Sequence, residues 1–161
     1  RIWKGAHTVH QERILNVAFL RTRIDFIESF FRKDEIREIW ITFPDPQERR
    51  RRHKKRLTGV LFLNRYRSFL VDGGIIHLKT DNSILYRETL ELLQYNELPV
   101  IFNTDDLYAS GLKGEATSIQ TYYEARFLSG GAKIKYIRFR LPGNKTVCEL
   151  PGYDVLENKH I

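Results

Sequence analysis

One acid in this chain is held between two prolines and followed almost at once by a run of cations. Asp45 stands in Phe43-Pro44-Asp45-Pro46, and the stretch from Arg49 to Arg56 reads Arg-Arg-Arg-Arg-His-Lys-Lys-Arg. Neither proline offers a backbone donor and both fix φ, so the carboxylate is presented on a stiff, extended segment, although a Pro-Asp-Pro turn is the plain alternative. The run holds the whole net charge of +7, because the remaining residues balance at 20 Lys/Arg against 20 Asp/Glu. Cations clustered in this way focus a field and gain affinity by releasing counterions from a polyanion, for which nucleic acid is the natural ligand. Short basic runs also serve as solvated loops or localisation tags. A tag normally lies in a tail, whereas Arg49, Arg50, Arg51, Arg52, His53, Lys54, Lys55 and Arg56 lie between a strand-like and a helix-like segment.

Two further groups carry chemistry. Thr80-Asp81-Asn82 closes an apolar strand pattern, which puts Asp81 at the same sheet edge as Asp45 or makes it part of a helix N-cap. Thr121-Tyr122-Tyr123-Glu124 fits the Thr-x-x-Glu capping box, and its Thr121 and Glu124 share a helix face opposite Ile119, Tyr123 and Phe127, turned to solvent or to a cleft. His7 and His10 have helical spacing but no third ligand, so they read as surface histidines and no metal site is expected. No P-loop, Gly-x-Gly-x-x-Gly or Gly-x-Ser-x-Gly motif occurs.

The elements that must position these groups alternate between period-2 and helical patterns, which argues for an α/β layered sheet. Strands are expected at Val17 to Thr22, Ile36 to Phe43, Gly74 to Thr80, Leu98 to Asn103 and Lys133 to Leu141. Helices are expected at Ile24 to Phe31, from Leu57 through Leu70 to a Gly73-Gly74 stop, at Ser83 to Tyr95, and around Ile119, Tyr123 and Phe127. Gly74 to Thr80 is apolar enough to be buried on both faces of a parallel sheet. After Pro142 the pattern is lost.

A chain of 161 residues can bury a core of its own, and 42% hydrophobic with 29% charged residues marks a globular protein. It reads as a single domain over 1–161. The single cysteine, Cys148, cannot pair within the chain, and no apolar run exceeds four residues, so a cytoplasmic protein without a membrane span is expected. The chain has no methionine, even at position 1, and opens on Arg1-Ile2-Trp3-Lys4 as if in mid-element, which reads as a fragment.

Phe43-Pro44-Asp45-Pro46, the basic run into Lys55-Arg56-Leu57, Gly73-Gly74-Ile75-Ile76-His77-Leu78-Lys79-Thr80-Asp81 and Thr121-x-x-Glu124 occur in the order and spacing of a known family. The chain resembles the bacterial tRNA (guanine-N7-)-methyltransferases, from about Asn16 to Phe139. The resemblance implies a Rossmann-like class I S-adenosylmethionine-dependent fold, a mostly parallel sheet with helices on both faces. It also implies methyl transfer from S-adenosylmethionine to N7 of a guanine in the tRNA variable loop. By position, Asp25 and Asp45 match cofactor-side acids, Asp45 at the methyl-transfer centre. Arg49, Asp81 and Thr121, Tyr122, Tyr123 and Glu124 match substrate-binding positions, with Asp81 or Glu124 accepting from guanine N1–H and N2–H2, and Arg50 to Arg56 would meet RNA phosphates.

Departures are Gln47 where the family has Trp, and Arg52 where it has His, with His53 beside it. The family's Gly-rich loop and second-strand acid have no counterpart, so the chain reads as the C-terminal two-thirds of the fold. A non-catalytic RNA-binding module and a methyltransferase acting on another base are the alternatives. Nothing in the residues separates a monomer from a homodimer.

Overall fold

The computed structural model describes residues 2–152, with the side chains of Arg50 and Arg51 outside the description. Its backbone groups into two compact units, Arg1–Phe30 and Phe31–Ile161. The larger unit is built on four strands, β1 (Ile36–Thr42), β2 (Leu70–Thr80), β3 (Val100–Thr104) and β4 (Lys135–Leu141), in the order β1-β2-β4-β3. β1 and β2 pair in parallel, while β4 lies antiparallel between β2 and β3. Three strands therefore share a direction, but two of the three pairings are antiparallel. The expected mostly parallel sheet is thus a mixed one, because the last strand inserts between its neighbours instead of extending an edge.

Period 2 divides the sheet into unlike faces. Ile41 on β1, Ile76 and Leu78 on β2, and Ile137, Phe139 and Leu141 on β4 are all buried on one face. Helix α3 (Ser83–Tyr95) packs on β2 and β4 and buries Leu85, Leu92 and Leu93. Helix α2 (Val60–Tyr66) buries Phe62, Leu63 and Tyr66. The opposite face carries Glu38, Trp40 and Thr42 on β1, His77 and Lys79 on β2, and Tyr136 and Arg138 on β4. A second apolar cluster of Leu107, Ala116, Ile134 and Tyr136 joins β4 to the β3–β4 connector, which contains α4 (Glu115–Ser118) and α5 (Tyr122–Ser129).

Three local expectations in the larger unit also change. Leu57 to Leu70 is not one helix: Thr58 and Gly59 precede α2, and Phe69 and Leu70 lead into β2. Gly73-Gly74 lies inside β2, where the β1/β2 register slips between Ile36↔Leu70 and Glu38↔Ile75 and Gly73 takes φ +66°. The glycines serve a bulge, not a helix stop. Ile119, 65% exposed, falls between α4 and α5, because the Thr121 capping box starts the helix two residues later.

Beyond β4, the chain is pinned by two amides. Asn64 bonds the Val147 N–H and C=O at 3.0 and 2.8 Å, and Asn96 bonds those of Cys148 at 2.7 and 2.9 Å. These side chains replace the missing strand partner.

In the smaller unit, α1 (Ile2–Gln11) and a 3-10 helix over Ile24–Phe30 bury no residue. Gly5 lets the Phe19 ring approach, since a Cβ there would lie 2.8 Å from it. His7 and His10 are exposed, as expected of surface histidines. The strand expected at Val17 to Thr22 is absent: these residues form an irregular, exposed segment with no ladder partner among the described residues, and β-propensity cannot hold a strand without one.

Asn96→Ala strands two backbone groups of the C-terminal strap and should cost roughly 1–3 kcal/mol. Urea denaturation, with hydrogen exchange at Cys148, measures both the cost and its location.

Candidate active site

The segment around Asp45 is shaped by strain and by a buried arginine. Phe43 and Gln47 both adopt left-handed backbone conformations, φ 50° and 47°, an uncommon state for a bulky aromatic that costs on the order of 1–3 kcal/mol. Phe43 is held there by its N–H donating to the Lys79 carbonyl at 2.8 Å and by its ring stacking on Phe127 at 5.6 Å. Gln47 is held by its N–H donating to Asp45 Oδ1 at 3.0 Å. Arg56, 6% exposed, donates through Nε to the Pro46 carbonyl and through Nη2 to that of Gln47, while Nη1 pairs with Glu88 on α3. Asp45 itself stays exposed, and its Oδ2 has no hydrogen bond among the described residues.

The basic run, which folds as a 3-10 helix over Arg50–Lys55, is divided by this arrangement. Arg49, Arg52, Lys54 and Lys55 are exposed. Arg56 and His53 are not surface cations: Arg56 is the brace just described, and His53, also buried, lies 3.4 Å from Glu149 of the strap. Both positions expected to meet phosphates are instead engaged by internal partners. The Arg50 and Arg51 side chains lie outside the described residues.

Asp81 follows β2 at the same rim, since Thr42 pairs with Lys79 and the two strands end together. The helix cap is Asn82, whose Oδ1 accepts from the Leu85 N–H at 2.8 Å. Its Nδ2 donates to Glu48 Oε1 at 2.7 Å, tying the loop after Asp45 to the loop of Asp81. Asp81 is half-buried, and its carboxylate has no hydrogen bond or ion pair among the described residues.

Glu124 departs from expectation. It forms the reciprocal capping box with Thr121, but its side chain is 0% exposed and points inward at Lys79. Lys79 Nζ lies 2.6 Å from Oε1 and 2.8 Å from Oε2, Tyr108 donates its hydroxyl to Oε1 at 2.8 Å, and the Thr121 N–H donates to Oε2 at 3.2 Å. These contacts fill the carboxylate, so it has no site left for a substrate donor. Lys79 also bonds the carbonyls of Ala116 and Ile119, at 2.7 and 3.3 Å. Burial, reinforced by the hydrogen bond to Glu124, pushes the Tyr108 hydroxyl up to about 12. Tyr122 and Tyr123 stay exposed with their rings edge to face.

Sequence reasoning missed the polar sheet face, although its spacing, Glu38-x-Trp40-x-Thr42 and His77-x-Lys79, is the period of a strand side. Trp40 stacks on His77 with ring centres 3.9 Å apart, and donates through Nε1 to Glu38 Oε1 at 2.6 Å. His77 Nδ1 is 2.6 Å from the Tyr136 hydroxyl, and Nε2 is 2.8 Å from Glu38. Desolvation outweighs the nearby Glu38 charge and lowers His77 to about 4, with Arg138 acting in the same direction as burial. Two cavities open here and share Trp40 and Glu115, one of about 320 Å3 reaching Thr42, Lys79 and Thr121, and one of about 190 Å3 reaching His77 and Arg138.

Asp25 belongs to the smaller unit, where Oδ2 accepts from Arg23 at 3.1 Å. No His, Cys, Asp and Glu group suited to a metal and no helix long and apolar enough to cross a membrane occurs among the described residues.

Comparison with known proteins matches residues 2–137 to the family described as "Putative methyltransferase". A tRNA (guanine-N(7)-)-methyltransferase of Bacteroides thetaiotaomicron is 51% identical over 155 residues, which cover 96% of this chain and 60% of the relative. One from Porphyromonas gingivalis is 51% identical over 156 residues, covering 96% and 62%. The chain thus spans about 60% of the length of these curated relatives. A solved geranyl diphosphate C-methyltransferase from Streptomyces coelicolor aligns at TM-score 0.41 and 15% identity, covering 86% of this chain and 59% of that one, a likeness too distant to assign fold or ligand.

Lys79→Met and Glu124→Gln each leave a buried partner uncompensated and should each cost about 3–5 kcal/mol, with the double variant costing clearly less than the sum. A double-mutant cycle in urea measures the coupling. His77 titrates near 6.5 when unfolded and about 4 when folded, so between these values the unfolded chain binds the extra proton. Its contribution to stability is therefore complete above pH about 6.5 and lost as pH falls towards 4. The fall in urea midpoint over that window should be shallower in His77→Gln.

Proposed function

We propose, for a chain that belongs to the methyltransferase family matched over residues 2–137, that it carries the methyl-transfer and RNA-binding part of a tRNA (guanine-N7-)-methyltransferase. The observation that carries this reading is the constrained Asp45 carboxylate at the C-terminal edge of two parallel strands, beside exposed Arg49, Arg52, Lys54 and Lys55. Ligands of open α/β sheets bind at that edge.

S-adenosylmethionine, when bound, supplies an electrophilic methyl group on a sulfonium. The residues present fit the transfer side of that group, since Asp45 has an exposed oxygen with no hydrogen-bond partner among the described residues. Guanine N7 already bears a lone pair and no proton, so attack needs no general base, and the protein's work is positioning and electrostatics. Asp45 orients the reacting groups from a backbone braced by Arg56. Asp81 supplies a second acceptor at the rim, and Tyr122 and Tyr123 offer exposed rings to flanking bases. Thr121 meets the substrate while Glu124 supports it from behind. Arg49, Arg52, Lys54 and Lys55 bind phosphates, which gives affinity without reading sequence. The target is a guanine of the tRNA variable loop, and the reaction takes place in the cytoplasm.

Incubation of the intact protein with tRNA and S-adenosylmethionine should yield 7-methylguanosine on nucleoside mass analysis; RNA binding with no methylated nucleoside would favour a non-catalytic module. Asp45→Ala should lower kcat with tRNA affinity nearly unchanged. Neutralising Arg49, Arg52, Lys54 and Lys55 together should weaken tRNA binding and reduce the slope of log affinity against log salt by about 0.7–0.9 for each phosphate that no longer meets a cation. The opposite pattern in these two variants would reject the division of roles.

A further inference from the structure

The larger cavity on the polar sheet face, about 320 Å3, is lined by Trp40, Thr42, Lys79, Glu115, Ile119 and Thr121. Its size falls at the lower end of small-ligand sites. Trp40 is an immobilised platform: one face of its ring lies on His77 at 3.9 Å and 5° between planes, and Nε1 is tied to Glu38, yet the residue remains 36% exposed. An aromatic fixed in this way accepts a base by stacking, whatever the base.

Discrimination has to come from the polar lining. Lys79 is committed to Glu124 and to the carbonyls of Ala116 and Ile119, so it holds the wall in place and has no donor left over. Glu124 is filled, and Asp45 and Asp81 are not among the lining residues. Glu115 is different: it is exposed, and its carboxylate makes no hydrogen bond or ion pair among the described residues. A carboxylate beside a stacking platform accepts from adjacent N–H donors. Guanine presents two such donors side by side, N1–H and N2–H2, on its Watson–Crick edge, where adenine presents only N6–H2 beside a bare N1 that a carboxylate repels. The Thr42 and Thr121 hydroxyls remain to donate to guanine O6, which leaves N7 unblocked.

We propose that this cavity is a guanine pocket in which Trp40 stacks on the base and Glu115 reads its Watson–Crick edge. The source of the base, a guanine drawn out of tRNA and not a free nucleotide, rests on the function proposed above; the pocket itself does not.

Calorimetric titration of the intact protein with GMP and with AMP tests the pocket without reference to methyl transfer. The two probes carry the same phosphate, so attraction to the basic run cancels in their ratio. GMP should bind at least about tenfold more tightly than AMP, and Glu115→Gln, a change at an exposed residue that leaves the core intact, should erase that preference by weakening GMP alone. Trp40→Ala should weaken both nucleotides, and tRNA should displace GMP. Equal affinity for GMP and AMP, or an unchanged preference in Glu115→Gln, would overturn the pocket; failure of tRNA to compete would overturn tRNA as the source. Methylation of tRNA without guanine preference here would leave the proposed function standing and remove this inference. The guanine preference without methylation would do the reverse.

Discussion

The buried pair of Lys79 and Glu124 is the constraint around which the rim of the sheet is organised. Removing both charges from water is expensive, and their attraction offsets that cost only when every remaining donor and acceptor is also occupied. Here it is. Glu124 receives Lys79, Tyr108 and the Thr121 backbone, and Lys79 also reaches the carbonyls of Ala116 and Ile119. One ammonium on β2 therefore fixes the end of α4, the start of α5 and the segment between them. Apolar packing of equal area would hold these pieces together but would not set their orientation, since dispersion has little directional preference.

This has a consequence for how Thr121-x-x-Glu124 is understood. A capping box needs only a helix terminus, and a substrate contact needs only an exposed carboxylate, yet Glu124 satisfies the first while its burial excludes the second. The pair of Thr121 and Glu124 works as a unit in depth: the glutamate anchors, and the threonine, whose hydroxyl retains a proton to donate, lines the cavity.

Much of this was legible in the sequence, and what was not has physical reasons. Helix Ser83–Tyr95 and strand Ile36–Thr42 stand nearly where their periodicity puts them, because local pattern and burial agree there. The shared edge of Asp45 and Asp81 followed from two strands each ending at an acid. Gly73-Gly74 misled because a bulge and a helix stop use the same residue for the same backbone freedom, and only the partner strand tells them apart. Val17 to Thr22 misled for a related reason, as a strand pattern states a preference and a ladder requires a neighbour. The inward turn of Glu124, His53 and Arg56 was hidden because nothing in a charged residue's local sequence reveals the counter-charge awaiting it: Glu88 is 32 residues from Arg56 and Lys79 is 45 from Glu124.

The division of the basic run also couples two parts of the site. Arg56 follows directly on the 3-10 helix of cations, and its guanidinium grips the carbonyls of Pro46 and Gln47, the residues just beyond Asp45. Phe43 and Gln47 bracket the acid in left-handed conformations that relax unless held. A force that moved the cationic turn would be transmitted through Arg56 to the backbone next to Asp45, whereas a freely hinged basic loop would dissipate it. The anchoring of Arg56 to Glu88 on α3 opposes such movement and gives the turn a fixed origin in the core. The same side-chain chemistry thus serves opposite ends: the exposed guanidinium and ammonium groups of the run stay in water, and one buried guanidinium holds still the backbone next to Asp45.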